Sequence, residues 1–269
     1  QVVGWWGDSL GEPTGAAAFL WEDGELTTIL PIDDYHASRA SDINESGQIT
    51  GRVDTTDQFG GQRAFLWENG NVVLLPPLVE NEINSESKAI SKDMFLAGGS
   101  VVPARNEEDT ITRGFLWDQE LMLNLGVLPG FQRSSALALQ DNHLVGGWCW
   151  DPVRPSNPST AVLWHADSIY DMQPLIKDNS SFDLKGAVDF NSQEHVLVSA
   201  LDSGNDTVAA ILEPVDPPSE DITGDCAVNV FDLIVLLDNW DHTDSFADID
   251  DNGVVNVSDL LLLLSNWGS

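Results

Sequence analysis

Two twelve-residue stretches near the C-terminus, Asp221 to Asp232 and Asp248 to Asp259, repeat one pattern 27 residues apart. Both carry oxygen-bearing side chains at positions 1, 3, 5, 9 and 12, and position 7 adds a backbone carbonyl. A hard cation that takes about six to eight oxygen ligands needs that spacing on a tight loop. The charge points the same way, since Asp221 to Ser269 holds ten Asp and no Lys or Arg. Such a segment either stays unfolded or folds around cations. The spacing therefore predicts two Ca²⁺ sites. The first would use Asp221, Thr223, Asp225, the carbonyl of Ala227, Asn229 and Asp232. The second would use Asp248, Asp250, Asn252, the carbonyl of Val254, Asn256 and Asp259, with position 9 of each loop acting through a water. Gly253 stands at the turn position of the second loop and Cys226 at that of the first, where a positive φ costs strain. The second site is expected to be the tighter one.

Elements that could position these loops follow directly. After each loop the apolar residues switch to helical spacing: Leu233, Leu236, Leu237 and Trp240, then Leu260, Leu263, Leu264 and Trp267. Two such helices can pack about a pseudo-two-fold axis. Residues 214–220, with Pro214, Pro217 and Pro218, read as a stiff linker that separates this module from what precedes it.

Residues 221–269 resemble a type I dockerin, in which each loop lacks the first helix of an EF-hand. The resemblance implies folding only with calcium and docking of a cohesin-like protein partner through the helix after a loop. Its recognition positions fall on Val230 and Phe231 and on Val257 and Ser258. The Val-Phe pair departs from the Ser/Thr pairs common in cellulosomal members and implies a more apolar docking surface.

The first 213 residues are organised by a different repeat. Ala18-Phe19-Leu20-Trp21 returns as Ala64-Phe65-Leu66-Trp67, Gly114-Phe115-Leu116-Trp117 and Ala161-Val162-Leu163-Trp164, with the tryptophans 46, 50 and 47 apart. Ala209-Ala210-Ile211-Leu212 is a degraded fifth copy. A second landmark, Ile43-Asn44-Glu45-Ser46-Gly47-Gln48-Ile49, keeps pace with it and reads as a hairpin turn. In the second period four β-like stretches, Gln48 to Asp54, Arg63 to Trp67, Asn71 to Leu75 and Ser87 to Ser91, are punctuated by turn residues. Four strands per period predict a mainly β fold, a β-propeller of about five four-stranded blades over residues 1–213. The chain starts partway through a unit, so its N- and C-terminal strands are expected to share the closure. A β-sandwich is the alternative. The repeat resembles the HAF-type extracellular repeat, which implies a secreted or surface protein and brings no catalytic residues.

Composition bounds the function. Forty-four acidic residues against 11 basic ones give a net charge of -33, which repels nucleic-acid backbones and anionic membranes. With 42% hydrophobic residues the chain nevertheless has ample material for a core. No stretch approaches the roughly 18 apolar residues of a membrane span, and membrane insertion is not expected. Export through a removed signal peptide is expected. Cys149 and Cys226 permit one disulfide or two free thiols.

Neither a Ser-His-Asp order, a Gly-rich phosphate loop nor a His-Glu-x-x-His motif is present, and the five histidines are scattered. A carboxylate pair such as Asp33-Asp34 carries little weight among so many acids. The leading expectation is a non-catalytic extracellular assembly protein whose docking module takes a cohesin-like domain or further copies of the chain, with a fibre or surface layer as one product. The alternative is a glycan-binding or carbohydrate-active propeller anchored through its dockerin, with Trp5, Trp6, Trp148 and Trp150 as stacking platforms.

Overall fold

The computed structural model describes residues 1–6, 16–29, 35–55, 61–80, 84–104, 110–153, 159–176, 182–214, 219–223, 228–243 and 245–268. The chain divides into two compact units, Gln1–Glu213 and Pro214–Ser269. The first is all β. Its strands are β1 (Val2–Trp6), β2 (Ala17–Glu22), β3 (Glu25–Ile29), β4 (Tyr35–Ile43), β5 (Ile49–Thr55), β6 (Gln62–Glu68), β7 (Asn71–Leu74), β8 (Ser85–Ile90) and β9 (Leu96–Pro103). They continue with β10 (Thr110–Trp117), β11 (Met122–Gly126), β12 (Arg133–Leu139), β13 (Val145–Trp150), β14 (Ser159–His165), β15 (Ser168–Asp171), β16 (Asp183–Phe190), β17 (Val196–Leu201) and β18 (Thr207–Leu212).

These strands form five antiparallel meanders in chain order: β1 to β3, β4 to β7, β8 to β11, β12 to β15 and β16 to β18. Among the described residues three sheets have four strands and the two terminal sheets have three. This corrects the expectation of shared closure. The chain enters at the equivalent of a second strand and reaches Pro214 after the equivalent of a third, and the terminal strands belong to two separate sheets.

The repeat has a packing logic. The first strand of each four-stranded or last sheet lies across the second and third strands of the preceding one: β4 on β1 and β2, β8 on β5 and β6, β12 on β9 and β10, β16 on β13 and β14. The Phe-Leu-Trp landmark supplies the core between sheets, with Phe65 and Phe115 fully buried and Trp117 and Trp164 nearly so. A buried serine on the incoming strand fastens three of these interfaces. Ser38 Oγ accepts from Ala18 N at 3.0 Å and donates to Ile29 O at 2.8 Å. Ser85 Oγ accepts from Ala64 N at 3.0 Å. Ser134 Oγ accepts from Gly114 N at 3.0 Å and donates to Gly126 O at 2.6 Å. The Ser134→Ala chain therefore leaves a donor and an acceptor unmatched in a dry interface, at an expected cost of about 1–3 kcal/mol in a denaturant melt. A midpoint equal to that of the parent would contradict this role.

Hairpins one period apart are also tied together. Asp42 Oδ2 accepts from Ile90 N at 2.9 Å, Asn44 Nδ2 donates to Ser91 O at 3.0 Å, and Asp141 Oδ1 accepts from Lys92 N at 3.0 Å. Burial raises the Asp42 carboxyl above its ordinary range despite the amides of Ile90 and Ile43 that pull it down. Cys149 is a free, fully buried thiol on β13, pushed up to about 11 by burial against the lowering effect of the Leu128 amide. It is inert to ordinary thiol chemistry; Cys226 lies outside the described residues.

Among the described residues the second unit holds two helices, α1 (Val230–Asp238) and α2 (Val257–Ser265). Val228, Leu236, Ala247, Val255 and Leu263 form its core, with Ile222, Leu233, Trp240, Ile249 and Leu260 packed around them. Two bonds clasp the halves reciprocally: Asp241 N donates to Val255 O at 2.9 Å and Gly268 N to Val228 O at 2.8 Å. Each residue after one helix thus holds the loop before the other, the pseudo-two-fold relation the 27-residue period implies. The predicted stripes need one revision. Leu237, Leu264 and Trp267 are about half exposed, and the loop residues Val228 and Val255 take the core positions instead. A nine-residue helix in so small a unit has one face to bury, and the loops bring their own apolar residues to it. Among the described residues no helix is long and apolar enough to cross a membrane.

Candidate metal centre

Each helix begins on a capping box, which is where loop and helix meet. Asn256 Oδ1 accepts from Ser258 N, while Asp259 Oδ2 accepts from Asn256 N at 2.7 Å. The first half repeats this with Asn229 and Asp232. Position 12 is the pivot of each loop. Asp259, fully buried, also accepts on Oδ1 from Ile249 N at 2.8 Å and Asp250 N at 3.2 Å. Asp232, equally buried, accepts on Oδ1 from Thr223 N at 2.9 Å and from the Thr223 hydroxyl at 2.8 Å. Burial is the largest influence on the Asp232 carboxyl and raises it; the bonds from Asn229 and Thr223 together prevail and hold it below the usual carboxylate range. An ionised carboxylate thus sits at the base of the first loop.

The second loop is described in full. Oxygens of Asp248, Asp250 and Asp259 lie within 4.8 Å of one another. At that distance each pair of charges repels by about 1 kcal/mol even in water, and the unit has no Lys or Arg to relieve it. The loop's own amides close around these groups: Asn252 N donates to Asp248 Oδ1 at 3.1 Å and Gly253 N to Asp248 Oδ2 at 2.7 Å. Gly253 has φ +96, the left-handed turn that the loop requires and that a side chain would strain. An all-oxygen donor set with converging carboxylates fits a hard divalent cation such as Ca²⁺.

Of the twelve expected ligands, the structure brings Asp248, Asp250 and Asp259 together. Asn256 takes a supporting place: its Nδ2 donates to Val254 O at 2.7 Å and Asn252 Oδ1 at 3.2 Å while its Oδ1 caps the helix. In the first loop Asp221 is buried beside Thr223, whose hydroxyl lies 3.4 Å from Asp221 Oδ1. Asp225 and Ala227 lie outside the described residues.

The expected partner-binding residues are all exposed: Val230 and Phe231 open α1, Val257 and Ser258 open α2. Sequence reasoning missed their continuation. Ile234 and Leu237 extend the first pair along one face of α1, and Leu261 and Leu264 extend the second along α2, each about half exposed or more. The signal was present in five consecutive apolar residues per helix, more than one buried face can absorb.

The other candidate chemistry is dispersed. His143 packs against Phe95 with the rings tilted by 34° and their centroids 3.9 Å apart, His165 is exposed, and Asp33-Asp34 lie outside the described residues. Two of the four tryptophans considered as platforms are engaged by arginine: Arg39 lies 4.8 Å from the Trp5 ring and Arg133 lies 5.0 Å from Trp150. Trp148 meets Trp150 edge-on at 6.4 Å, and Trp6 stacks on Phe19 at 5.8 Å.

No family model and no curated protein matches the chain. Two solved structures resemble it. One is the β-propeller domain of the Trilobed protease from Pyrococcus furiosus, described as having an open velcro topology, at 11% identity and a TM-score of 0.44. It covers 75% of this chain and 58% of its own. The other is the acylaminoacyl peptidase of Pyrococcus horikoshii, at 15% identity and a TM-score of 0.39, covering 74% of this chain and 30% of its own. The match thus spans little more than half of the first solved chain, itself a single domain, and under a third of the second.

Proposed function

We propose that this chain is a non-catalytic extracellular assembly protein in which five sheets act as the blades of a β-propeller scaffold and residues 221–269 act as a dockerin-like, calcium-dependent docking module. The observation that carries this reading is the duplicated coupling of loop to surface. In each half an acidic loop is bonded through a buried position-12 aspartate to the first turn of a helix, and that helix turns an apolar stripe to solvent. Calcium on the loop fixes the helix, and the helix presents the stripe. The partner is a protein with a matching apolar surface, a cohesin-like domain or a further copy of the chain; the latter contact is heterologous and grows a fibre or layer.

The test is binding of the full chain, in millimolar calcium, to immobilised cohesin-type domains and to itself. Binding in one of the two arms is expected, abolished by a chelator and weakened about tenfold or more by Phe231→Asp combined with Leu261→Asp. Failure in both arms, or binding that ignores the chelator, contradicts the proposal.

A further inference from the structure

The dipeptide Asn-Gly occurs twice, at Asn69-Gly70 and Asn252-Gly253. Nothing on a glycine hinders its backbone nitrogen from adding to the side-chain carbon Cγ of the preceding asparagine, which closes a five-membered imide. The two copies are held differently. Asn69 and Gly70, at φ 48 and 85, are the central residues of the β6–β7 hairpin, closed by the paired Glu68 and Asn71. Strand pairing alone fixes that turn. Asn252 and Gly253 lie exposed in the second acidic loop, which no strand ladder closes among the described residues.

That loop sets the reacting groups side by side. Asn252 Oδ1 accepts from Val254 N at 3.2 Å, which folds the side chain back along its own main chain beside the Gly253 peptide. The same donor sits on the oxygen that takes up negative charge when a nitrogen adds to Cγ. One bond stands against ring closure: Gly253 N donates to Asp248 Oδ2 at 2.7 Å, which holds the proton on nitrogen and commits the amide to Asp248. The two bonds differ in reach. The first spans two residues and needs only local geometry. The second spans five and lasts only while the loop is closed. Closure brings Asp248, Asp250 and Asp259 together in a unit without Lys or Arg, so cation binding preserves the guarding bond and cation loss removes it.

We propose that Asn252-Gly253 is a self-modification site guarded by calcium, so that a chain left without the cation converts Asn252 and loses its second site irreversibly. The inference rests on the reading of the second loop as a calcium site. Gly253 N gives up its proton and bonds to Asn252 Cγ, the Cγ–Nδ2 bond breaks, and the side-chain nitrogen leaves as ammonia with that proton. Water then opens the imide at one of its two carbonyls, so one water is consumed for each ammonia released. Opening at Cγ leaves an ordinary aspartate, which matches Asp225 at the same place in the first loop and keeps the ligand set. Opening at the main-chain carbonyl leaves an isoaspartate, whose main chain runs through Cγ and is one carbon longer. The extra carbon falls at the turn where Gly253 stands at φ +96, between Asp248 and Asp250 on one side and Asp259 on the other, and puts the three out of register. The first loop has Asp225-Cys226 here in place of Asn-Gly.

The experiment incubates the whole chain at neutral pH in calcium and in excess chelator. Peptide mass spectrometry follows Asn252 and Asn69, isoaspartyl methylation labels the longer product, and a synthetic peptide of residues 248–259 gives the open-chain rate. Asn252 should convert steadily in chelator. In calcium at about a hundred times the Kd of the second site it should convert at least about tenfold more slowly, since only the calcium-free fraction reacts. Asn69, whose hairpin needs no cation, should convert at one rate in both. When calcium is restored, calorimetry should show the second site lost in proportion to the isoaspartate formed, whereas the Asn252→Asp chain should retain its calcium binding through the same incubation. Two results overturn the proposal: Asn252 intact in chelator while the synthetic peptide converts, or Asn252 converting equally fast in both solutions while calorimetry shows the second site filled. A loop that binds no calcium and converts at one rate contradicts the calcium reading as well.

Discussion

The Asp259→Ala chain is expected to bind calcium at its second loop at least about a hundredfold more weakly than the parent and to lose the fold of the C-terminal unit. Asp259 has two duties that no neighbour can assume. It is one of three carboxylates whose oxygens converge within 4.8 Å, and it is the acceptor for Ile249 N, Asp250 N and Asn256 N. Unmatched buried donors cost about 1–3 kcal/mol each. A unit of this size has little stability to spare, so a loss of about 3 kcal/mol is enough to open it. Calorimetry measures the cation affinity, and hydrogen exchange over residues 228–268 measures the fold. Asp259→Asn, which preserves shape and one acceptor while removing charge, should fall between the two. Parent-like affinity in Asp259→Ala would remove position 12 from the ligand set.

In the scaffold the largest effect is expected from Gly98→Val. A Cβ at residue 98 would overlap the Glu86 carbonyl and come within 2.8 Å of Ser87 Cα and 2.9 Å of the Phe115 ring. The first two are backbone of a paired strand and the third is a fully buried side chain, so nothing nearby can yield cheaply. The β8–β9 pairing would have to separate at its bulge. A destabilisation of about 4 kcal/mol or more is expected, in the range reserved for disrupted cores. Gly24, with open space around it, is the control: its substitution meets no atom and costs only the strain of its positive φ of 88. Equal melting of Gly98→Val and the parent would mean that β8 does not bulge against β9.

How much of this was legible in the sequence depended on whether the signal was local. The convergence of Asp248, Asp250 and Asp259 was readable because ligand spacing is a property of twelve consecutive residues. Strand positions were readable for the same reason: the stretch Arg63 to Trp67 lies within β6 and Asn71 to Leu75 around β7. What the sequence did not reveal is which strands share a sheet. Periodicity marks where a repeat recurs and not where a sheet begins, so the terminal strands were expected together and stand in separate three-stranded sheets. The fate of a single leucine was equally hidden. Leu236 and Leu237 read alike in a helical stripe, and the first is fully buried while the second is 51% exposed, because Val228 and Val255 arrive from the loops to complete the core. The serine latches at Ser38, Ser85 and Ser134 recur one period apart and were visible as residues, but their work depends on a strand from the preceding sheet.

Hydrogen–deuterium exchange of the full chain in millimolar calcium and in excess chelator tests most directly whether the C-terminal unit is a calcium-built docking module. Each occupied site contributes about 4 kcal/mol when calcium exceeds its Kd a thousandfold. The expected result is strong protection of residues 230–238 and 257–265 in calcium and its collapse in chelator, with β4 to β17 protected equally in both. Helices that stay protected without calcium would contradict it, since the convergent carboxylates would then be a solvated acidic surface that needs no cation.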